Sequence, residues 1–301
     1  MSLLVTGSVG IDTVRTPYGV NENCIGGSAV YFSMAAGFFT DVKFVGVTGD
    51  DCPFDLAELF QGKDVDLAGL EARPGSKTFR WTGSYEGDMN EARTDSVQLN
   101  VLAEQPPTVP ESFRCSDYVF LANTAPSLQI KLLDQLASPA FVAADTMNHW
   151  IQTAGPDLKE LLSQIDMLVL TDGEAKLLTG QNNLISAAKS ILDMGPRFVV
   201  IKKGEHGVLI FSEGNFFASP AFLLEKVFDP TGAGDTFAGG FIGYLASCNK
   251  CTKQVLRRAS VYGVIMSTFA VEDFSLGCLG KITRSDINKR LNKYLNYTKM
   301  G

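Results

Sequence analysis

Short apolar runs alternate with amphipathic stretches along most of this 301-residue chain. Runs such as "FVAAD" and "DMLVL" are typical of parallel strands buried on both faces, and the stretches between them have helical spacing. From Thr231 onward the pattern becomes almost entirely helical. The chain therefore predicts an α/β fold, with a doubly wound, mostly parallel sheet and helices on both faces, in one domain over 1–301.

One segment, residues 76–104, interrupts this alternation. It is polar and aromatic, and its residues alternate as in a strand on either side of the turn-prone "YEGDMNE". We expect a small β-sheet lid here, completed by part of about 12–23. Phe79, Trp81 and Tyr85 occupy odd positions and are predicted to share one strand face. A plain surface hairpin is the alternative.

Composition narrows the class of protein. Hydrophobic residues make up 45% and charged residues 20%, which allows a sizeable core. The net charge of −7 argues against nucleic acid or an anionic membrane surface as the main partner.

Neither a secretion signal nor an apolar run of roughly 18 residues is present, so we expect a cytoplasmic protein. The six scattered cysteines predict reduced thiols, and "CNKC" lacks the two further ligands of a structural zinc site.

The stretch "DPTGAGDTFAGGF" places Gly232, Ala233 and Gly234 directly before an apolar helix. A helix start leaves backbone N–H groups unpaired and carries partial positive charge, so glycines there let an anion approach. A carboxylate at Asp235 would be unfavourable beside that anion unless it takes a proton from an attacking hydroxyl. A flexible turn with a helix-capping aspartate is the alternative.

The same stretch closely resembles the D-T-x-G-A-G-D-x-F motif of the ribokinase-like (PfkB) carbohydrate and nucleoside kinases. The resemblance covers nearly the whole chain and implies a single ribokinase-like kinase domain. It implies that Asp235 is the catalytic base, that Gly232, Ala233 and Gly234 form an anion hole, and that Thr231 contacts the nucleotide. The implied activity is ATP-dependent phosphorylation of a hydroxyl on a small sugar or nucleoside.

The N-terminal segments "GSVGID" and "GGSAVYFSMAA" look like the family's first strand, substrate aspartate and Gly-Gly helix start. This resemblance implies that Asp12, Gly26 and Gly27 bind the acceptor. Tyr31 stands where many sugar kinases of the family have an asparagine. Its flat apolar ring favours stacking over polar contacts, as do Phe79 and Trp81 in the lid, so we favour a ring-bearing acceptor such as a nucleoside.

Two further segments resemble the family's metal and nucleotide elements. "LTDGEAKLLTG" is similar to an Asn-x-x-Glu element, which implies that Glu174 organises Mg²⁺ through water, although Thr171 replaces the asparagine. "VVIKKGEHGVLIF" is similar to the strand-turn-strand beside ATP, which implies nucleotide contacts from Lys203, Gly204 and Gly207. The implied cofactors are ATP and Mg²⁺, with a monovalent cation such as K⁺ in several relatives.

Other interpretations of the chain are weaker or remain open. "DTMNHW" lies where relatives carry Asp-x-Asn-x-Arg, but only Asp145 matches, so no role is carried over to this segment. The absence of G-x-G-x-x-G after the first strand and of a P-loop excludes those nucleotide-binding classes. A non-catalytic sugar or nucleotide sensor on the same fold remains the alternative to a kinase. Since relatives dimerise through their lids, we also expect a homodimer through this lid.

Overall fold

The computed structural model describes residues 2–299, so one residue of the predicted domain 1–301 at its start and two at its end lie outside the described part. The strands are β1 (Leu3–Thr6), β2 (Gly10–Thr16), β3 (Gly19–Gly26), β4 (Val42–Gly49), β5 (Val65–Arg73), β6 (Phe79–Ser84), β7 (Arg93–Gln98), β8 (Tyr118–Leu121), β9 (Phe141–Asp145), β10 (Met167–Thr171), β11 (Phe198–Lys202), β12 (Val208–Ser212) and β13 (Asn215–Ser219). The helices are α1 (Ser28–Ala36), α2 (Leu56–Leu59), α3 (Pro126–Leu133), α4 (Asn148–Thr153), α5 (Gly155–Leu162), α6 (Asp172–Thr179), α7 (Leu184–Leu192), α8 (Ala233–Cys248), α9 (Lys253–Ala270) and α10 (Arg284–Thr298).

The larger of two sheets has nine strands in the order β13-β12-β11-β10-β9-β8-β1-β4-β5. Strands β11 through β5 in this order run parallel, and β12 and β13 add an antiparallel hairpin at one edge. The chain moves outward from β1 to β4 and β5 on one side and to β8 and its successors on the other. This arrangement creates a switch point between β1 and β8, where ligands of open α/β sheets usually bind.

Helices cover both faces of this sheet, because the buried strands carry apolar side chains on both sides. Leu3 and Val5 belong to a core cluster that includes α1, α8 and α9, whereas Leu4 belongs to a second cluster with α3, α5 and α7. This arrangement confirms the predicted doubly wound, mostly parallel sheet. No helix within residues 2–299 is long and apolar enough to cross a membrane.

Helices α1 and α8 pack unusually closely and run in the same direction. A Cβ atom at Gly239 would overlap the Phe32 carbonyl oxygen, and one at Gly243 would lie 2.9 Å from the Ala36 Cα atom. Only glycine therefore permits this approach without displacing one helix. Since contacts advance along both helices together, their N-terminal ends lie side by side.

The smaller sheet has the order β3-β2-β6-β7 and forms the lid. Strand β2 pairs antiparallel with β3 and parallel with β6, and β6 pairs antiparallel with β7. The sheet thus combines the segment 76–104 with the early residues, as the pattern predicted. At its base, Asp51 accepts hydrogen bonds from the Thr78 N–H at 2.6 Å and the Arg80 guanidinium at 3.0 Å. These two contacts hold lid strand β6 against the loop that follows β4.

The N-terminal run "LLVTGSVGID" divides between the two sheets instead of forming one continuous strand. Strand β1 ends at Thr6, and β2 begins at Gly10. Between them the Ser8 N–H donates to Ser28 Oγ at 3.1 Å, and a Cβ at Gly7 would lie 2.6 Å from that oxygen. The bend at Gly7 therefore brings the chain across the start of α1 and into the lid.

Candidate active site

Charged residues gather at the carboxyl ends of the parallel strands, and the predicted Glu174, Asp235 and Asp12 are among them. Asp145 ends β9, Glu174 lies three residues beyond the end of β10, and Lys202 ends β11. The N-terminus of α8, with Asp235 in its first turn, faces the same edge. Asp12 reaches it from lid strand β2. Residues from five separate segments thus meet at one crevice.

The glycine loop before α8 is shaped by a left-handed residue and a buried aspartate. Gly232 has a φ of 74°, which L residues with side chains rarely adopt. Asp229 is fully buried and accepts hydrogen bonds from the Thr231 N–H at 2.9 Å and the Ser275 N–H at 3.2 Å. These contacts fix the loop before the helix begins.

The three N–H groups predicted to form the anion hole differ in whether they already donate a hydrogen bond. The Ala233 N–H donates to the Pro230 carbonyl oxygen at 3.1 Å. The N–H groups of Gly232 and Gly234 have no acceptor among residues 2–299 and remain available to an anion. Two of the three predicted donors are therefore free in this conformation.

Asp235 has the environment of a general base. Burial raises the pKa of its carboxyl to about 6, with Lys202 opposing the shift and Glu174 adding to it. A base works best when its pKa lies close to the operating pH, because it is then both ionised and able to accept a proton. The pKa of Asp235 lies about one unit below neutral pH, so its carboxyl meets this condition.

Asp12 is almost completely buried, at 4% exposure, against glycines of the lid and the α1 start. A Cβ at Gly26 would overlap its carboxylate, and one at Gly10 would lie 3.0 Å from its Oδ1. That Oδ1 has no hydrogen-bond partner among the described residues. Burial, followed by the negative charges of Asp229 and Asp235, raises the pKa of Asp12 to about 7. An unpaired buried acceptor suits a hydroxyl-bearing ligand.

Tyr31 lies beneath the glycine loop instead of lining an open pocket. Its side chain is 2% exposed, and a Cβ at Gly232 would overlap its ring. The stacking predicted from its aromatic face is therefore directed at Gly232 in this structure. Tyr31 contributes to the site by supporting the loop.

Glu174 and Thr171 form a reciprocal cap at the start of α6. The Thr171 N–H donates to Glu174 Oε2 at 2.6 Å, and the Glu174 N–H donates to Thr171 Oγ1 at 3.2 Å. This arrangement is a capping box, in which the two side chains satisfy backbone N–H groups at the start of α6. Nearby, the buried Asp145 Oδ1 has no partner among residues 2–299, and burial, then the charge of Asp235, raises its pKa well above its usual range.

The carboxyl groups of Asp145, Glu174 and Asp235 lie on one side of the crevice and suit a cation that binds together with phosphate. The charges of Asp235 and Glu174 both raise the pKa of Asp145, so these three carboxylates repel one another. No group of three or more His, Cys, Asp or Glu within residues 2–299 is arranged to hold a metal alone. Mg²⁺ typically uses one or two carboxylates together with substrate phosphates and water. The residues present fit that mode of binding.

Phe79 and Trp81 lie on lid strand β6, and Tyr85 directly follows it. Phe79 is half-buried and pairs with Gly10, while Trp81 pairs with Asp12 in the β2–β6 register. The Trp81 Nε1–H donates to Thr94 Oγ1 at 3.1 Å. Tyr85 is buried, and its hydroxyl lies 3.3 Å from Thr231 Oγ1 in the glycine loop. The lid is therefore hydrogen-bonded to the loop that carries the proposed chemistry.

The predicted nucleotide turn lies between β11 and β12. Gly204 and Gly207 have φ angles of 52° and 83°, and the Lys203 N–H donates to the Gly207 carbonyl oxygen at 2.8 Å. A Cβ at Gly204 would lie 3.0 Å from Asn90 Oδ1, so the β6–β7 turn of the lid reaches this side of the crevice. Both glycines are required by the shape of the turn.

The family resemblance assigns the nucleotide contact in "IKKG" to Lys203, whereas the structure brings the neighbouring Lys202 to the glycine loop. Phe198 and Val200 belong to the core cluster that contains α8, and alternation places Lys202 on that same face. A Cβ at Gly234 would lie 2.7 Å from Lys202 Nζ. The alternation of side chains along β11 is the sequence signal that distinguishes Lys202, on the face toward α8, from Lys203.

The raised pKa of Asp12 predicts that the ligand-free protein loses stability as pH rises. A carboxyl with a pKa of 3.8 when unfolded and about 7 when folded binds more protons in the folded state between these values. The free energy of unfolding therefore falls from about pH 4 to pH 7. Asp12→Asn should raise the Tm at pH 8 by roughly 2–4 °C per kcal/mol of relieved penalty, and by less than half as much at pH 5, where only part of the penalty is present.

Differential scanning calorimetry of both proteins at pH 5 and pH 8, without nucleotide, measures this difference. Asp134→Asn, at an exposed position that ends α3, is the matched control and should shift neither value. An Asp12→Asn protein with the same Tm shift at both pH values would contradict the assigned environment.

Comparison with known proteins identifies the family to which the chain belongs. The profile described as "pfkB family carbohydrate kinase" matches residues 22–268. A cytidine kinase of Thermococcus kodakarensis is 30% identical over 269 residues, which cover 86% of this chain and 95% of that protein. An ATP-dependent ribose-1-phosphate kinase of Halopiger xanaduensis is 28% identical over 72% of each chain.

Solved structures share the fold. The nucleoside kinase of Burkholderia thailandensis in complex with inosine superimposes with a TM-score of 0.78 at 19% identity, covering 98% of this chain and 99% of that one. The nucleoside kinase of Methanocaldococcus jannaschii gives a TM-score of 0.75 at 17% identity, covering 97% and 98%. Together with the profile that spans most of its length, these matches show that the chain belongs to the PfkB family of carbohydrate kinases.

Proposed function

We propose that this PfkB-family kinase transfers the γ-phosphoryl group of ATP to a hydroxyl of a nucleoside. The observation that carries the proposal is Asp235, whose pKa of about 6 and position in the first turn of α8 suit a general base beside an anion site. A nucleoside is favoured over a free sugar by the aromatic lid face and by the long match to a cytidine kinase.

In this proposal Asp12 orients the acceptor by accepting a hydrogen bond from one of its hydroxyls. Gly26 and Gly27 allow the acceptor to lie against the backbone, since side chains there would meet the Asp12 carboxylate and the Ser8 carbonyl. Phe79 and Trp81 cover the ring of the acceptor from the lid. Burial beneath the lid keeps water away from the phosphoryl group.

On the donor side, the turn formed by Lys203, Gly204 and Gly207 lies beside the nucleotide, with Thr231 at the glycine loop. Glu174 would hold Mg²⁺ through water, and the Asp145 carboxyl lies nearby. Bound Mg²⁺ supplies neutralisation of the phosphate charge during transfer. The free N–H groups of Gly232 and Gly234 bind the transferring group.

A non-catalytic sensor on the same fold would need no base. Burying a carboxylate such as Asp235 beside other acids destabilises the folded protein, and a binding protein gains nothing from that placement. A turnover assay separates the two functions directly.

Asp235→Asn should fold and bind ATP but lose turnover, because the amide keeps the shape while removing the base. We expect kcat to fall by roughly 10²–10⁴-fold with little change in KM. The measurement is coupled-assay kinetics across cytidine, uridine, adenosine, inosine and ribose, with Asp134→Asn as control. In the wild type, kcat should decline below about pH 6 as Asp235 becomes protonated.

Two outcomes would count against this prediction. Near-normal kcat in Asp235→Asn removes Asp235 from the mechanism. Nucleotide binding by the wild type without turnover of any acceptor in the panel favours the sensor.

Glu174→Gln should raise the Mg²⁺ concentration needed for half-maximal activity more than it raises the nucleoside KM. The amide retains an oxygen that can cap α6 but lacks the charge that attracts the cation. Mg²⁺ titrations at saturating nucleoside measure this, with Asp172→Asn in the same helix turn as the control. If Glu174→Gln and Asp172→Asn needed the same Mg²⁺ concentration for half-maximal activity, the proposed metal-binding role of Glu174 would be wrong. The same titration in potassium and in tetramethylammonium chloride tests the monovalent-cation requirement.

We further propose that the protein is a homodimer through the lid. All six residues of β7 are exposed, so this lid strand presents an unpaired edge, and Val97 is 52% exposed. Exposed apolar strand edges favour pairing with another chain.

Sedimentation at micromolar concentration should therefore give a dimer for the wild type and a monomer for Val97→Lys, because a charge at an edge strand opposes pairing. Ile185→Lys, at a similarly exposed apolar position on α7, is the control and should remain dimeric. A monomeric wild type would contradict the proposal.

A further inference from the structure

Lys202 stands apart from the other basic residues because its side chain enters the crevice from within the main sheet. It ends β11, where it pairs in parallel register with Thr171 of β10 and antiparallel with Val208 of β12. Its backbone is thus held by strands on both sides. The ammonium position is set by a rigid element instead of a loop.

The ammonium lies against the glycine loop. A Cβ at Gly234 would be 2.7 Å from Nζ and 3.7 Å from Cε, so the end of the side chain packs directly over this glycine. Any larger residue at position 234 would displace it. The loop composition therefore suits the lysine as well as a bound anion.

This ammonium has no hydrogen bond or ion pair with any of residues 2–299, although the side chain is half-buried. Asp145 and Asp235 are near enough for Lys202 to lower the pKa of both. Neither carboxylate forms a contact ion pair with it. A half-buried cation held among acids without a direct partner has its three N–H donors free for an external anion.

We propose that Lys202 binds the γ-phosphoryl group directly during transfer, as a third donor beside the free N–H groups of Gly232 and Gly234. This inference rests on the kinase function proposed above. An ammonium adds a full positive charge where the equatorial phosphoryl oxygens accumulate negative charge.

The step it assists is a balanced displacement. The acceptor hydroxyl oxygen forms a bond to the γ-phosphorus and gives its proton to the Asp235 carboxylate. The bond from the γ-phosphorus to the β,γ-bridging oxygen breaks, and its electron pair leaves on ADP. Lys202 exchanges no proton in this step and contributes only charge and hydrogen bonds.

Lys203 is the competing candidate, and its position is different. It lies beyond the end of β11, where its N–H donates to the Gly207 carbonyl oxygen. It therefore belongs to the nucleotide turn, and the ammonium at the glycine loop is that of Lys202.

The test compares Lys202→Met, Lys202→Arg and Lys203→Met by kinetics and by binding. Lys202→Met should lower kcat by roughly 10²–10³-fold, the loss typical of one donor to a developing anion, with nucleoside KM changed little. Lys202→Arg should recover part of this loss because it restores the charge with different geometry. Lys131→Met, at an exposed position on α3, is the control for removal of a surface charge.

Calorimetric binding of ADP and of the ATP analogue AMP-PNP supplies a readout that needs no turnover. Lys202→Met should weaken AMP-PNP binding about tenfold more than ADP binding, because only AMP-PNP carries the γ-phosphoryl group. Retained ADP affinity shows that the variant is folded. Lys202→Gln serves the same comparison if the methionine variant does not fold.

Equal weakening of ADP and AMP-PNP, or a larger selective loss in Lys203→Met than in Lys202→Met, overturns the proposal. A wild type that binds AMP-PNP but phosphorylates no acceptor would refute the kinase function, while the binding comparison would still test Lys202. Failure of the two proposals is therefore distinguishable.

Discussion

The close parallel contact between α1 and α8 determines where the two glycine-rich helix starts of the site lie. Gly239 and Gly243 let the two helices approach, and Gly232 continues this contact onto the ring of Tyr31. Because the helices run in the same direction, the Gly26–Gly27 start of one lies beside the glycine loop of the other. In the proposed function, acceptor and phosphoryl group would therefore bind at neighbouring helix N-termini, and the positive end of α8 would favour the anionic phosphoryl group.

That geometry brings several buried carboxyl groups close together when no ligand is present. Asp12, Asp145 and Asp235 all have raised pKa values, chiefly because burial disfavours their ionised forms. Lys202 and the two helix N-termini offset this charge only in part. In the proposed function, Mg²⁺ bound with the nucleotide would supply positive charge, and the acceptor hydroxyls would supply hydrogen-bond partners, so binding would offset part of the free energy lost in burying these acids together. Functional sites often hold such locally unfavourable arrangements.

Much of the fold followed from the sequence, because its signals are local. The periods of parallel strands and amphipathic helices predicted the main sheet, and the polar aromatic segment predicted the lid. The site was less accessible because its contacts are long-range. The ring of Tyr31, for example, lies against Gly232, about 200 residues away by the sequence numbering. Lys202 and Lys203 are adjacent residues of the same type. Lys202 ends β11 and contacts the glycine loop, whereas Lys203 lies in the turn after the strand.

The lid and the acceptor site also depend on the same strand. Asp12, the proposed acceptor ligand, lies on β2 and pairs with Trp81 of β6, so both residues belong to the lid sheet. The base of that sheet is held by Asp51, whereas its far side is joined to the glycine loop through Tyr85 and Thr231. A displacement of the lid would therefore move Asp12 as well as the aromatic cover. In the proposed function, orientation of the acceptor and exclusion of water are consequently coupled, since one sheet would perform both.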